Sequence, residues 1–216
     1  MKTRSKALLL TLCAVVLVIA TVFGTMAYLT STDEVVNTFT VGSVNIKLDE
    51  AKANTDGSLV EGADRVKANN YKLLPGHTYN KDPMVTVLSG SESSYIKMTV
   101  TFSKAKELDA IFDPNGATLT SIFNNYDSTN WIYKGNTEND NMNTRTYEFW
   151  YKETVGAPTA DVALDALFDS ITVPGSITNE QLATIEGMTI TVNAYAIQAD
   201  GFANAEAAWA AFDAQK

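Results

Sequence analysis

The chain has 216 residues, of which 45 % are hydrophobic and 10 % aromatic, enough to bury the core of one sizeable domain; a disordered polymer is excluded. A net charge of −9 repels nucleic acid and anionic lipid and excludes both as partners of the folded surface. Cys13 is the single cysteine, which excludes an internal disulfide framework.

Residues 1–6, MKTRSK, carry three positive charges, and residues 7–27, ALLLTLCAVVLVIATVFGTMA, carry none. A basic segment before an apolar run reads as a secretory signal peptide over 1–27. The run closes on Gly24-Thr25-Met26-Ala27, which places small or weakly polar residues where a peptidase needs them and predicts cleavage between Ala27 and Tyr28. Twenty-one uncharged residues also suffice to span ~30 Å of hydrocarbon, so an uncleaved membrane anchor is the alternative. Cleavage removes Lys2, Arg4 and Lys6 and leaves 13 basic against 25 acidic residues.

Residues 28–38 hold too few apolar side chains to fold on themselves and read as an extended N-terminal segment. In TFTVGSVNIKL the apolar parity switches between Phe39, Val41 and Val44, Ile46, Leu48, which predicts one strand with a bulge at Gly42-Ser43. Residues 49–72 are polar and read as a long connection or an excursion hairpin around Asp56-Gly57, followed by a turn at Leu74-Pro75-Gly76. DPMVTVL (82–88) is a strand that opens on proline. YIKMTVTF (95–102) alternates without error: Ile96, Met98, Val100 and Phe102 face a core, and Lys97, Thr99 and Thr101 face the other side. A short helix is expected over 104–112, ended at Asp113-Pro114-Asn115-Gly116. Strands follow at 131–134 and 144–153, the latter carrying Tyr147, Phe149, Trp150 and Tyr151, with Trp150 of opposite parity. Leu164, Leu167 and Phe168 stand at helical spacing and predict a helix over 160–170. Thr178 and Gln181 form a capping-box pair, with Ile177 able to staple onto Leu182. MTITVNAYAIQ (188–198) is a last strand, and residues 203–216 form an amphipathic helix presenting Trp209 and Phe212 to cover an open end of the sandwich. Strands cluster around helical insertions without a βαβ rhythm, so the fold class is mainly β: an antiparallel jelly-roll-type β-sandwich over 39–202, with short helical insertions and an N-terminal signal or transmembrane helix.

Three stretches carry a family likeness: Thr25-Met26-Ala27-Tyr28 with its polar spacer, Thr38-Phe39 and Gly42; LLPGHTYNKDPMVTVLSGSESSYIKMTVTF (73–102); and ITVNAYAIQ. In order and spacing they resemble the TasA and camelysin-type proteins, over about half the chain, with 103–187 unmatched. Leu29 stands where an aromatic residue is common in that family. The resemblance implies a secreted, non-catalytic structural protein of a Gram-positive cell surface or biofilm matrix, with a SipW-type signal peptidase as its partner during export. It also implies assembly with itself or with sister matrix proteins, an extended N-terminus adding a strand to the next subunit. Residues 28–38 would reach ~35 Å when extended, and Tyr28, Leu29, Val35, Val36 and Phe39 are the candidate anchors. The same segment pairing within its own subunit is the alternative.

Camelysin also carries a metalloprotease label, but a zincin needs two histidines a helical turn apart and this chain has only His77, in a turn. A serine triad would need that same histidine, and no G-x-S-x-G elbow is present. No catalytic residue, cofactor or metal site is therefore expected. Residues 54–58 and 136–143 supply alternating oxygens of the kind calcium uses, yet lack the central glycine and terminal glutamate of an EF-hand. A membrane-tethered adhesin or ligand-binding sandwich is the competing function.

Overall fold

A computed structural model describes residues 6, 11–15, 42–112 and 119–215. The chain divides into two compact units, Met1–Thr40 and Val41–Lys216. In the first unit Lys6 and residues 11–15 are helical, with Cys13 exposed. Among the described residues no helix is long and apolar enough to cross a membrane. The expected cleavage site and the 28–38 segment lie outside the described residues, as does the turn at 113–116.

Among the described residues strand accounts for 34 % and helix for 18 %, so the fold is mainly β, and every described pairing is antiparallel. The strands are β1 (Ile46–Asp49), β2 (Thr78–Asn80), β3 (Met84–Val87), β4 (Ser94–Ser103), β5 (Trp131–Asn139), β6 (Thr144–Tyr151), β7 (Val162–Ala163), β8 (Ser170–Thr172) and β9 (Ile190–Gln198). The helices are α1 (Ala105–Phe112), α2 (Leu119–Ile122), α3 (Asn179–Thr184) and α4 (Ala205–Asp213). Three sheets result, ordered β1-β3-β7, β2-β8 and β5-β6-β4-β9.

Alternation in β4 directs Ile96, Met98, Val100 and Phe102 into the core, none more than 3 % exposed. Across the ladder β6 contributes Tyr147 and Phe149 to the same layer. Phe123, just past α2, seats among them: its ring centroid lies 4.5 Å from Phe168, 5.6 Å from Tyr147 and 6.0 Å from Phe149. Edge-on and tilted ring pairs of this kind add to the burial energy. The excursion after β1 returns through bridges Glu50–Val66 and Ala53–Leu59. Gly57 makes its tip with φ +91°, and a Cβ there would sit 2.6 Å from the Thr78 carbonyl oxygen. The capping box forms as read: the Gln181 N–H donates to Thr178 Oγ1, and the Thr178 N–H to Gln181 Oε1.

Three expectations are corrected. Residues 160–170 form no helix. The Leu164 N–H donates to the Val85 carbonyl at 2.8 Å and the Leu167 N–H to Pro83 at 3.1 Å, so the backbone is spent on the β3 margin instead of on i−4 carbonyls. Leu164, Leu167 and Phe168 are buried all the same, because helical spacing on a short segment also suits an irregular strand. Among the described residues the first strand begins at Ile46; Gly42–Asn45 is a non-strand lead-in in place of the expected bulge, Phe39 and Val41 lie outside the described residues, and a Cβ on Gly42 would meet Glu92 Oε1 at 2.7 Å. Lys97 faces the other side of the sheet from Ile96 and Met98, as read, where α4 covers it and leaves it 1 % exposed. That helix lies on the outer face of the four-stranded sheet and not over an open end, with Trp209 against Trp150 and Phe212 against Tyr195.

Candidate functional site

The direction of each backbone group along β9 follows from β4. Ser94 exchanges both backbone hydrogen bonds with Val155, on the side away from β9, so the Ser94–Gln198 pair is not hydrogen-bonded. At the other end the Ser103 N–H donates to the Thr189 carbonyl at 3.0 Å, so that pair is bonded. Antiparallel pairs alternate between these two kinds. Hence Thr191, Asn193, Tyr195 and Ile197 bond to β4, while Ile190, Val192, Ala194, Ala196 and Gln198 point their N–H and C=O groups outward. Among the described residues no backbone partner meets that outward row.

Exposed sheet margins are usually blunted by charge, proline, bulges or brevity. At the opposite margin β5 carries Lys134 and Glu138 and a register break between Tyr133 and Gly135. On β1 the outward carbonyl of Leu48 accepts from Lys67 Nζ, and Glu50, just past the strand, exchanges both backbone hydrogen bonds with Val66. Strand β7 is two residues long. Strand β9, with β1 lying near it, is nine residues, ITVNAYAIQ, without a charge or a proline. Its core-facing Ile190, Val192, Ala194 and Ala196 are only half-buried, whereas their neighbours on β4 are closed off.

At the head of β9 lies a groove of about 800 Å³, within the range of ligand-binding clefts. Its apolar lining includes Leu73, Phe112, Leu182, Met188 and Ile190, with Tyr71 on one wall. The Tyr71 hydroxyl donates to the Asn80 carbonyl at 2.6 Å; burial, helped by the Glu50 carboxylate, pushes its phenol well above the usual range. Below it the buried Lys81 and Glu50 form an ion pair at 2.5 Å. Reading the sequence missed this groove, because its walls come from segments near 70, 112 and 185 that share no local pattern.

The residues singled out from the sequence distribute as follows. Ala27, Tyr28, Leu29, Val35, Val36 and Phe39 lie outside the described residues. His77 is exposed in its turn, its ring 6.4 Å from Tyr79. In 54–58 the oxygens serve one another, Ser58 donating to Asp56 through both N–H and hydroxyl. Residues 136–139 belong to the β5–β6 ladder, and Asp140 pairs with Lys106 at 2.9 Å. Among the described residues no group of three or more His, Cys, Asp or Glu side chains could hold a metal ion. Tyr147 and Phe149 are core, while Trp150 faces outward beneath the Lys134 ammonium, 4.1 Å from its ring centroid. Compared with protein-family models, curated proteins and solved structures, the chain matches none of them.

Proposed function

We propose that this chain is a secreted, non-catalytic structural protein of the cell surface or biofilm matrix, of the TasA and camelysin type, folded as a jelly-roll-type sandwich. A SipW-type signal peptidase releases it by cutting between Ala27 and Tyr28. Copies, or sister matrix proteins, then join when residues 28–38 of one chain pair with the β9 margin of the next. The observation that carries this reading is the margin itself: a nine-residue strand with neither charge nor proline, five of whose residues point their N–H and C=O groups outward. A strand of that length spans ~30 Å, and the eleven residues 28–38 reach ~35 Å, so the two match. Tyr28, Leu29, Val35, Val36 and Phe39 supply the apolar contacts.

Removing residues 28–38 from the mature chain is expected to leave a folded monomer that no longer assembles. Assembly at an unchanged rate after that deletion would refute strand donation. The groove of about 800 Å³ favours a second reading, a membrane-tethered adhesin or ligand-binding sandwich. Mass spectrometry of the N-terminus separates the two: a chain that begins near Tyr28 has been released, and one that begins at Met1 is still tethered.

A further inference from the structure

The N-terminal segment of each copy leaves the fold at the foot of β9, its Gln198 end. Next to Gly42, the Ser43 carbonyl accepts from the Glu92 N–H at 2.9 Å, and the adjacent Ser93 carbonyl accepts from the Ala199 N–H at 2.7 Å, just past the end of β9. The groove lies at the opposite end of that strand, where Met188 and Ile190 continue into its wall. Leu73, Phe112, Leu182, Met188 and Ile190 remain half-buried there, so the head of β9 is apolar. The foot is polar: Glu92, Gln198 and Asp200 are exposed. The segment before Gly42 is graded in the same sense. Val35, Val36, Phe39 and Val41 gather next to the folded domain, and the far end carries the α-ammonium that cleavage before Tyr28 creates.

We propose that the groove of one copy receives Phe39 and Val41 of the next, so that the incoming strand runs antiparallel to β9 and copies join head to tail. The direction presupposes strand donation, as proposed above, and adds a seat to it. Extended, residues 28–41 reach ~46 Å against ~30 Å for β9, so Phe39 lies at or past Ile190 while Tyr28 still reaches the foot. Val35, Phe39 and Val41 stand at even separations and share one strand face. Opposed residues of an antiparallel ladder point to the same side, so with Phe39 at Ile190 that face joins the one Ile190, Val192 and Ala194 turn to the core. Apolar surface then leaves water on both partners. In the reverse direction the Tyr28 α-ammonium would enter the apolar groove, where desolvation opposes it; at the foot it comes to the Glu92 and Asp200 carboxylates. Direction also decides the kind of assembly. An antiparallel donor sets the foot of one copy against the head of the next and leaves a free groove at one end and a free segment at the other, an open row that grows. A parallel donor would set foot against foot, and two copies would exchange segments and close.

The test places photoreactive benzoylphenylalanine at position 39, or at position 28, of the full mature chain; the irradiated assembly is resolved by denaturing electrophoresis and peptide mapping. The probe at 39 should join two copies and map to 71–73 or 182–190, and the probe at 28 should map to 92–94 or 198–200. Interchanged maps overturn the direction and leave strand donation standing. A probe at 39 that joins copies elsewhere, reacts only within its own chain or joins none overturns the groove as its seat. Assembly that also survives removal of 28–38 overturns donation itself. Leu182→Asp, on the groove wall, should keep the circular dichroism of the parent and weaken association about tenfold, and Phe39→Ala should weaken it more than Tyr28→Ala. Unchanged association in Leu182→Asp overturns the seat as well. If that variant fails to fold, the photoproduct at 39 decides alone.

Discussion

Proline placed at successive positions of β9 tests the assigned direction of its backbone. At Ala194 the N–H points outward, so Ala194→Pro leaves the β4 ladder whole, whereas Asn193→Pro removes an N–H bonded to Thr99. The unpaired Thr99 carbonyl and the lost bond should cost Asn193→Pro about 2–4 kcal/mol of monomer stability. Ala194→Pro should cost about 1 kcal/mol, for adjusting φ on a half-buried margin. In assembly the order reverses. An incoming strand loses one hydrogen bond to Ala194 and keeps an unsatisfied carbonyl, roughly 1.5–3 kcal/mol, which weakens association roughly 10- to 100-fold. Urea unfolding gives the first quantity, and sedimentation or light scattering across a concentration series gives the second. Equal stability losses at 193 and 194 would refute the assigned alternation. Unchanged association in Ala194→Pro would remove β9 as the acceptor.

Further expectations concern the core, the helix cap and acid stability. Phe149→Ala removes a fully buried ring that meets Tyr126 at 5.4 Å, Tyr133 at 5.5 Å and Phe123 at 6.0 Å, and should cost about 3–5 kcal/mol in denaturant titration. Ile132→Ala, at a residue 41 % exposed, should stay within about 0.5 kcal/mol. Thr178→Ala removes the cap of α3 and should cost about 1 kcal/mol by the same assay. Burial of Asp49 would by itself raise its carboxyl, but hydrogen bonds and charge from Lys47 and Arg65 outweigh it and hold the group below the usual carboxylate range. Its contribution is therefore present above the unfolded value of about 4 and is lost as pH falls through the lower folded value. Arg65→Ala should shrink the stability difference between neutral and strongly acid solution; an unchanged difference would contradict the Asp49–Arg65 linkage.

Where a residue's neighbours in sequence determine its environment, the chain was legible. Ile96, Met98, Val100 and Phe102 alternate and are buried, and Thr178 with Gln181 caps its helix through local bonds alone. Where the environment arrives from afar, it was not. Lys97 occupies the polar phase of its strand, and only a helix more than a hundred residues later turns that face into an interior. The 164–168 segment has helical spacing, yet its N–H groups find the β3 margin, a partner no local pattern announces. Strands β2 and β8 are three residues each and leave no periodic signature, and the groove at the head of β9 is assembled from three distant segments. The β9 margin stands between these cases. Its alternation was readable, but its place at the end of a sheet required the strand order.

The central claim, that an incoming strand occupies the outward row of β9, is tested most directly by amide hydrogen exchange on monomer and assembly. The outward amides of Ile190, Val192, Ala194, Ala196 and Gln198 should exchange rapidly in the monomer and become protected on assembly, while those of Asn193 and Tyr195 stay protected throughout. Outward amides already protected in the monomer, or still exchanging rapidly in the assembly, would contradict it.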